Sequence, residues 1–273
     1  MQRRPWVLLP LLCYFLPAAA AAPTRAQIVA WCNDSNPELR IRGCSALIQS
    51  GKEPAKVLAG SFFNRGNAYE AKGQYDLAIQ DFDAAIKRNP NDAAAYLSRG
   101  SSYFAKGQTD SAIQDFDRAI TLDPNDATAF NNRGEAYREN GEQDRAIQDF
   151  DKAITLKPNY AGAFNNRGAT YLAKRQTERA IQDFDSAIKL SPNFADALSN
   201  RGGAYLLKNQ ADLAIKDFDQ VIKLNPRDAI ALYFRSVAKQ NTGDANGTSK
   251  DLAAAKAIDP DIANKVGHQG FAP

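Results

Sequence analysis

The sequence predicts an all-α solenoid built from antiparallel helix pairs. Three observations carry that reading. An Arg-Gly pair recurs every 34 residues at 65–66, 99–100, 133–134, 167–168 and 201–202, with a sixth copy reading Arg235-Ser236. Tyr69, Tyr103, Tyr137, Tyr171 and Tyr205 keep the same interval, as do Phe82, Phe116, Phe150, Phe184 and Phe218, and the prolines from Pro90 to Pro260. Within each period the apolar residues fall at helical spacing, and no strand pattern is evident. A self-similar period of this length marks stacked supersecondary units, each too small to bury its apolar face alone.

The chain opens with Arg3 and Arg4, an apolar run from Trp6 to Ala22 containing Pro10 and Pro17, and small residues leading to Thr24-Arg25-Ala26. This is the layout of a secretory signal peptide, residues 1–26, with cleavage expected after Ala26. The alternative is an uncleaved membrane anchor, for which the run is short of the about 20 residues a span needs. Export sets the expected location as secreted, in a bacterial periplasm. Membrane association is expected only if the segment stays attached.

Charge supports the division. The whole chain carries 34 basic and 31 acidic side chains, and residues 1–26 hold Arg3, Arg4 and Arg25 with no acid, so the remainder balances at 31 against 31. A neutral body has no electrostatic reason to seek nucleic acid or anionic lipid. Cys13 leaves with the leader, and Cys32 and Cys44 remain as an even pair in an oxidising compartment. A disulfide between them is expected to contribute about 2–3 kcal/mol. Two buried thiols are the alternative, whereas a metal site lacks further Cys or nearby His ligands.

Residues 27–58 then read as a stapled N-terminal helical cap. Cys44 and Ile48 lie 34 residues before Ala78 and Phe82, so Glu38 to Ser50 matches the second helix of a degenerate leading unit. Residues 59–260 hold six units. In the third, a first helix from Ala127 to Glu139 buries Phe130, Gly134 and Tyr137, with Gly134 admitting close approach of its partner helix. Gly73, Gly107 and Gly141 end the first helices. Acids at Asp76, Asp110, Asp144, Glu178 and Asp212 open the second helices and complement their positive N-termini. Ala146, Phe150, Ala153 and Ile154 make one apolar stripe, and a proline stops each unit. The sixth copy replaces Gly, Tyr and Ala by Ser236, Lys239 and Thr248, a polar end of the kind solenoids need. Residues 261–273 read as a short helix and a tail.

The small, aromatic, Ala, Phe, Ala and Pro places filled by Gly134, Tyr137, Ala146, Phe150, Ala153 and Pro158 resemble the tetratricopeptide repeat motif, and four other copies match equally. The usual tryptophan place holds Phe62, Tyr96, Phe130, Phe164, Leu198 and Leu232. The resemblance implies a right-handed superhelix whose first helices line a concave groove for partner proteins or peptides. It does not specify the partner, because one fold hosts many functions.

Catalysis finds no support in the residues. The single histidine, His268, lies in the tail, and no phosphate-cradling glycine loop follows a strand. No enzyme activity, cofactor or small-molecule substrate is expected. The Gln-Asp-Phe-Asp cassette places Asp149 and Asp151, and their counterparts, about 200° apart on a helix, so they cannot share a small ion. Pairing with the repeated arginines, within or between units, is the expected use.

The expected working surface is the groove. Asn64, Ser98, Asn132, Asn166 and Asn200 precede the arginines, with Phe234 in the sixth copy. A row of amides offers donors and acceptors to an extended peptide backbone. Asn67, Phe63 and Phe104 complete the expected partner-binding set, the two rings supplying apolar contact or simply core. Family members that grip acidic chaperone tails use a Lys/Arg/Asn clamp. Phe63, Asn67, Ser98, Thr128 and Asn132 lack its basic part, which disfavours that ligand class. The expected role is a non-enzymatic scaffold of the cell envelope. Its rivals are a self-associating structural protein and a non-catalytic subunit of an envelope enzyme.

Overall fold

A computed structural model describes residues 22–267. Most of the expected leader, with Cys13, and the tail containing His268 lie outside the described residues. Among the described residues every element is helical, and no helix is long and apolar enough to cross a membrane.

The N-terminal cap comprises α1 (Arg25–Cys32) and α2 (Pro37–Ser50). Six helix pairs follow: α3 (Ala55–Ala71) with α4 (Tyr75–Arg88), α5 (Ala93–Ala105) with α6 (Thr109–Leu122), and α7 (Ala127–Glu139) with α8 (Gln143–Leu156). The last three pairs are α9 (Ala161–Ala173) with α10 (Thr177–Leu190), α11 (Ala195–Leu207) with α12 (Ala211–Leu224), and α13 (Ala229–Asn241) with α14 (Ala245–Ile258). A short α15 (Ile262–Gly267) closes the series. From α1 to α14 each helix packs on the next in a right-handed solenoid, successive first helices touch along one face, and α15 folds back onto α13.

Local chemistry sets the boundaries. Asp92, Asp126 and Asp228 accept from backbone N–H groups in the first turns of α5, α7 and α13. Gly73, Gly107, Gly141 and Gly243 turn the chain out of the first helices with φ between 69° and 80°. In the fourth and fifth units the same place holds Arg175 (φ 59°) and Asn209 (φ 57°). The turn is double-bonded: Gly73 N donates to Glu70 O at 2.8 Å and Gln74 N to Tyr69 O at 2.9 Å.

The core repeats with the sequence. Phe82, Phe116, Phe150, Phe184 and Phe218 have no exposed surface, each contributing about 1.5–3 kcal/mol by burial. They fit because a glycine faces each ring. A Cβ on Gly134 would lie 2.7 Å from Phe150 Cε1, and Gly66, Gly100, Gly168 and Gly202 stand in the same relation to their own phenylalanines.

The expected arginine ladder is present. Arg167 donates Nε to Asp183 Oδ2 at 2.8 Å and Nη2 to Asp183 Oδ1 at 2.6 Å within its unit. Its Nη1 reaches back to Asp151 Oδ1 of the preceding unit at 2.6 Å. Arg133, Arg201 and Arg235 repeat this three-bond pattern, as does Arg99 with Asp115 and Asp83. At the N-terminal end Arg65 binds Asp81 and places Nη1 on Ser45 Oγ at 3.0 Å. The guanidiniums of Arg65, Arg99, Arg133 and Arg167 also lie between two rings, as with Arg133 at 5.5 Å from Phe130 and 5.7 Å from Tyr137. The cassette carboxylates are therefore bound by guanidinium. A second, exposed ladder joins Lys72 to Glu38, Lys106 to Asp76, Lys174 to Asp144 and Lys208 to Glu178, with Asn140, which fills the lysine's place in the third unit, bound to Asp110.

Both ends are sealed. Cys32 and Cys44 form the expected disulfide, with Cα atoms 4.5 Å apart. The two helices meet so closely that a Cβ on Gly43 would lie 2.4 Å from Cys32 N. At the far end, α15 does more than continue the chain: Ile262 and Val266 are buried against Leu232 and Ala255. The polar substitutions of the sixth unit are thus joined by an apolar lid. At the start, Thr24 caps α1 through a reciprocal bond with Gln27, and Arg25 makes a paired contact with Glu53 at 2.7 and 2.9 Å. A cut after Ala26 would remove both.

Candidate functional site: the concave face

The first helices α3, α5, α7, α9, α11 and α13 stand side by side because helix pairs stack in register. The residues just before each arginine therefore form a row. Their amides are linked from unit to unit. Asn132 Nδ2 donates to Ser101 Oγ at 3.4 Å, Asn166 Nδ2 to Asn131 Oδ1 at 3.1 Å and Glu135 Oε1 at 2.8 Å, and Asn200 Nδ2 to Asn165 Oδ1 at 3.0 Å. The row thus joins neighbouring repeats while leaving the carbonyl oxygens of Asn166 and Asn200 without a donor from the described residues.

The other expected site residues divide. Asn64 donates to Cys32 O at 3.2 Å and Asn33 Oδ1 at 3.1 Å, so it fastens the N-terminal cap. The side chains of Asn67 and Ser98 make no hydrogen bond among the described residues. Phe63 is half-buried with its ring 5.9 Å from Phe82, and Phe104 packs on the cluster around Phe116. These two rings belong mostly to the core.

Sequence reasoning missed Asn131, Asn165 and Glu135, whose side chains hold the row in place. The adjacent Asn131-Asn132 and Asn165-Asn166 pairs were the available signal. Burial pushes the carboxyls of Glu135 and Glu70 above the usual range, and Asn166 and Ser102 Oγ respectively pull back against it. Burial also pushes up the Tyr160 phenol, helped by Glu135 and Asp126. The surface offers hydrogen bonds, shape and a few charges. That chemistry suits recognition of an extended chain.

Comparisons with known proteins agree with the fold. Family models described as "Tetratricopeptide repeat" match residues 63–127, 99–161, 161–194 and 195–228. The crystal structure of MamA is 29% identical, with a TM-score of 0.53, over 60% of this chain and 96% of that one. YrrB, described as a TPR protein with an unusual peptide-binding site, is 23% identical with a TM-score of 0.55, over 70% of this chain and 98% of that one. PilF of Pseudomonas aeruginosa is 17% identical with a TM-score of 0.70, over 81% of this chain and 100% of that one. The last two share the fold alone. A search of curated proteins finds no match. The repeated glycine–phenylalanine contacts, the register of the helix pairs and the family matches over more than half the sequence lead to one assignment: the chain belongs to the tetratricopeptide repeat family.

Proposed function

We propose that the protein is a non-enzymatic scaffold of the bacterial envelope that binds a partner protein or peptide segment along its concave face. One observation carries this reading: the amides of Asn132, Asn166 and Asn200 form a unit-to-unit row in which the carbonyl oxygens of Asn166 and Asn200 accept no hydrogen bond among the described residues. An extended backbone presents N–H donors at regular intervals, which such a row can accept irrespective of sequence. The likeness to YrrB, a peptide-binding protein by its description, supports the same class of ligand.

Export is part of the proposal. The buried Cys32–Cys44 bond suits an oxidising compartment. A cut after Ala21, with Ala19 and Ala21 before the scissile bond, keeps Thr24 and Arg25 in place, unlike a cut after Ala26. N-terminal sequencing of the exported protein distinguishes the two.

The groove is tested by placing a photo-crosslinking amino acid at Asn200 or at exposed Lys223 on α12. Discrete adducts are expected from Asn200 and not from Lys223. Changing Asn132, Asn166 and Asn200 together to Ala should abolish capture of the same partner. Unchanged capture by the folded triple variant refutes the groove reading.

A further inference from the structure

The groove is not uniform along its length, and the cause lies in one register position. Three residues after each row member stand Asn67, Ser101, Glu135, Ala169, Gly203 and Val237. The two small residues, Ala169 and Gly203, fall in consecutive units. Between α9, α11 and α13 they leave a cleft of about 410 Å³, a volume within the range of ligand pockets. Asn166 and Asn200 flank its floor.

One wall is apolar. Ile230 is 43% exposed there, beside Phe234, whose ring stacks on Phe218 at 6.0 Å. The charges are asymmetric. Asp196 and Asp228 line the cleft from the N-terminal ends of α11 and α13, and Arg138 lines it from the last turn of α7. Two carboxylates against one guanidinium leave the lining with a net negative charge, on the side of Asp196 and Asp228. Asp228 spends Oδ1 on Ala231 N at 2.9 Å as a helix cap, and Asp196 makes no side-chain bond among the described residues.

We infer that this cleft anchors an extended peptide segment carrying a lysine or arginine two residues from a large aliphatic or aromatic side chain. Residues i and i+2 of an extended chain point the same way. The cation then faces Asp196 and Asp228 while the apolar group lies on Ile230 and Phe234, and the Asn166 and Asn200 carbonyls accept from the backbone between them. The inference rests on the groove reading and names its ligand class.

The test uses the full chain and three fluorescein-labelled peptides, Gly-Ser-Lys-Ser-Phe-Ser-Gly and its Lys→Glu and Phe→Ala counterparts, read by anisotropy. The parent peptide should bind at least about tenfold more tightly than either counterpart. Asp196→Asn with Asp228→Asn, which keeps a helix cap, should remove the preference for lysine over glutamate. Ala169→Leu should fill the cleft and weaken the parent about tenfold, with far-UV circular dichroism unchanged. Equal or tighter binding of the Glu peptide overturns the inference and leaves the groove reading intact. No binding of any probe by folded protein also overturns it, and the crosslinking pattern at Asn200 then decides the groove reading separately.

Discussion

Replacing Arg167 by Met tests what the arginine ladder contributes. The side chain of Asp183 is 7% exposed and takes two of the three Arg167 bonds, whereas Asp151, taking the third, is 51% exposed. Arg167→Met therefore leaves a buried carboxylate without its cation, at a cost of about 3–5 kcal/mol. Asp151→Asn breaks only the outer contact and should cost about 0–1 kcal/mol. A third variant, Arg167→Met with Asp183→Leu, removes both buried charges and should recover most of the loss. Repeat arrays unfold locally as well as globally, so a single melting temperature is a poor readout. Amide exchange in α9 and α10 reports the right unit: at about 1.4 kcal/mol per tenfold change, Arg167→Met should speed it by about two to four orders of magnitude. If Arg167→Met costs no more than Asp151→Asn, or if the double change is as harmful as the single one, the ladder is not what holds the units together.

Four further outcomes follow from particular positions. Gly134→Ala should destabilise by about 1–3 kcal/mol despite alanine's better helix propensity, because its Cβ meets Phe150 at 2.7 Å. Gly60→Ala on α3, with nothing within 4 Å, should gain about 0.5–1 kcal/mol in the same urea titration. Arg175→Gly should stabilise by about 1 kcal/mol, since Arg175 is an L-residue held at φ 59° where other units use glycine; loss of stability in denaturant melts would contradict this. Glu135 has a raised folded-state pKa, so the folded protein binds its proton more readily than the unfolded chain. Its contribution to stability thus falls as pH rises from the ordinary glutamate range through the raised value. Glu135→Gln should therefore stabilise at pH 7 and lose that advantage near pH 4, and a pH-independent difference would show that burial is not the cause.

Much of this was legible in the sequence because the repeat reports each packing decision several times. Gly134 facing Phe150, Arg133 facing Asp149 and the turn at Gly141 each recur in register, so a residue's role could be read from its copies. The disulfide followed from parity and compartment. What escaped was anything dependent on a comparison between units. Asn64 looks like Asn132 by register, yet its neighbour is the cap and it spends its amide there. The cleft exists only because Ala169 and Gly203 are small in consecutive repeats and Ile230 follows in the next, a relation that the superhelix creates. Arg175 and Asn209 fill a glycine place, and only the backbone shows that they keep its left-handed conformation.

The ladder also makes the units interchangeable. Arg167 meets Asp151 at 2.6 Å, as Arg133 meets Asp117. Excising residues 127–160 would bring Arg167 opposite Asp117, with the same chemical joint on both sides of the scar. Each internal Arg–Asp junction is in effect a standard coupling, and the non-standard fittings of that ladder are confined to the ends, at Ser45 and at Asp251, which also accepts Lys239. A gene built this way can lengthen or shorten its groove by whole-unit recombination without a fresh interface having to evolve.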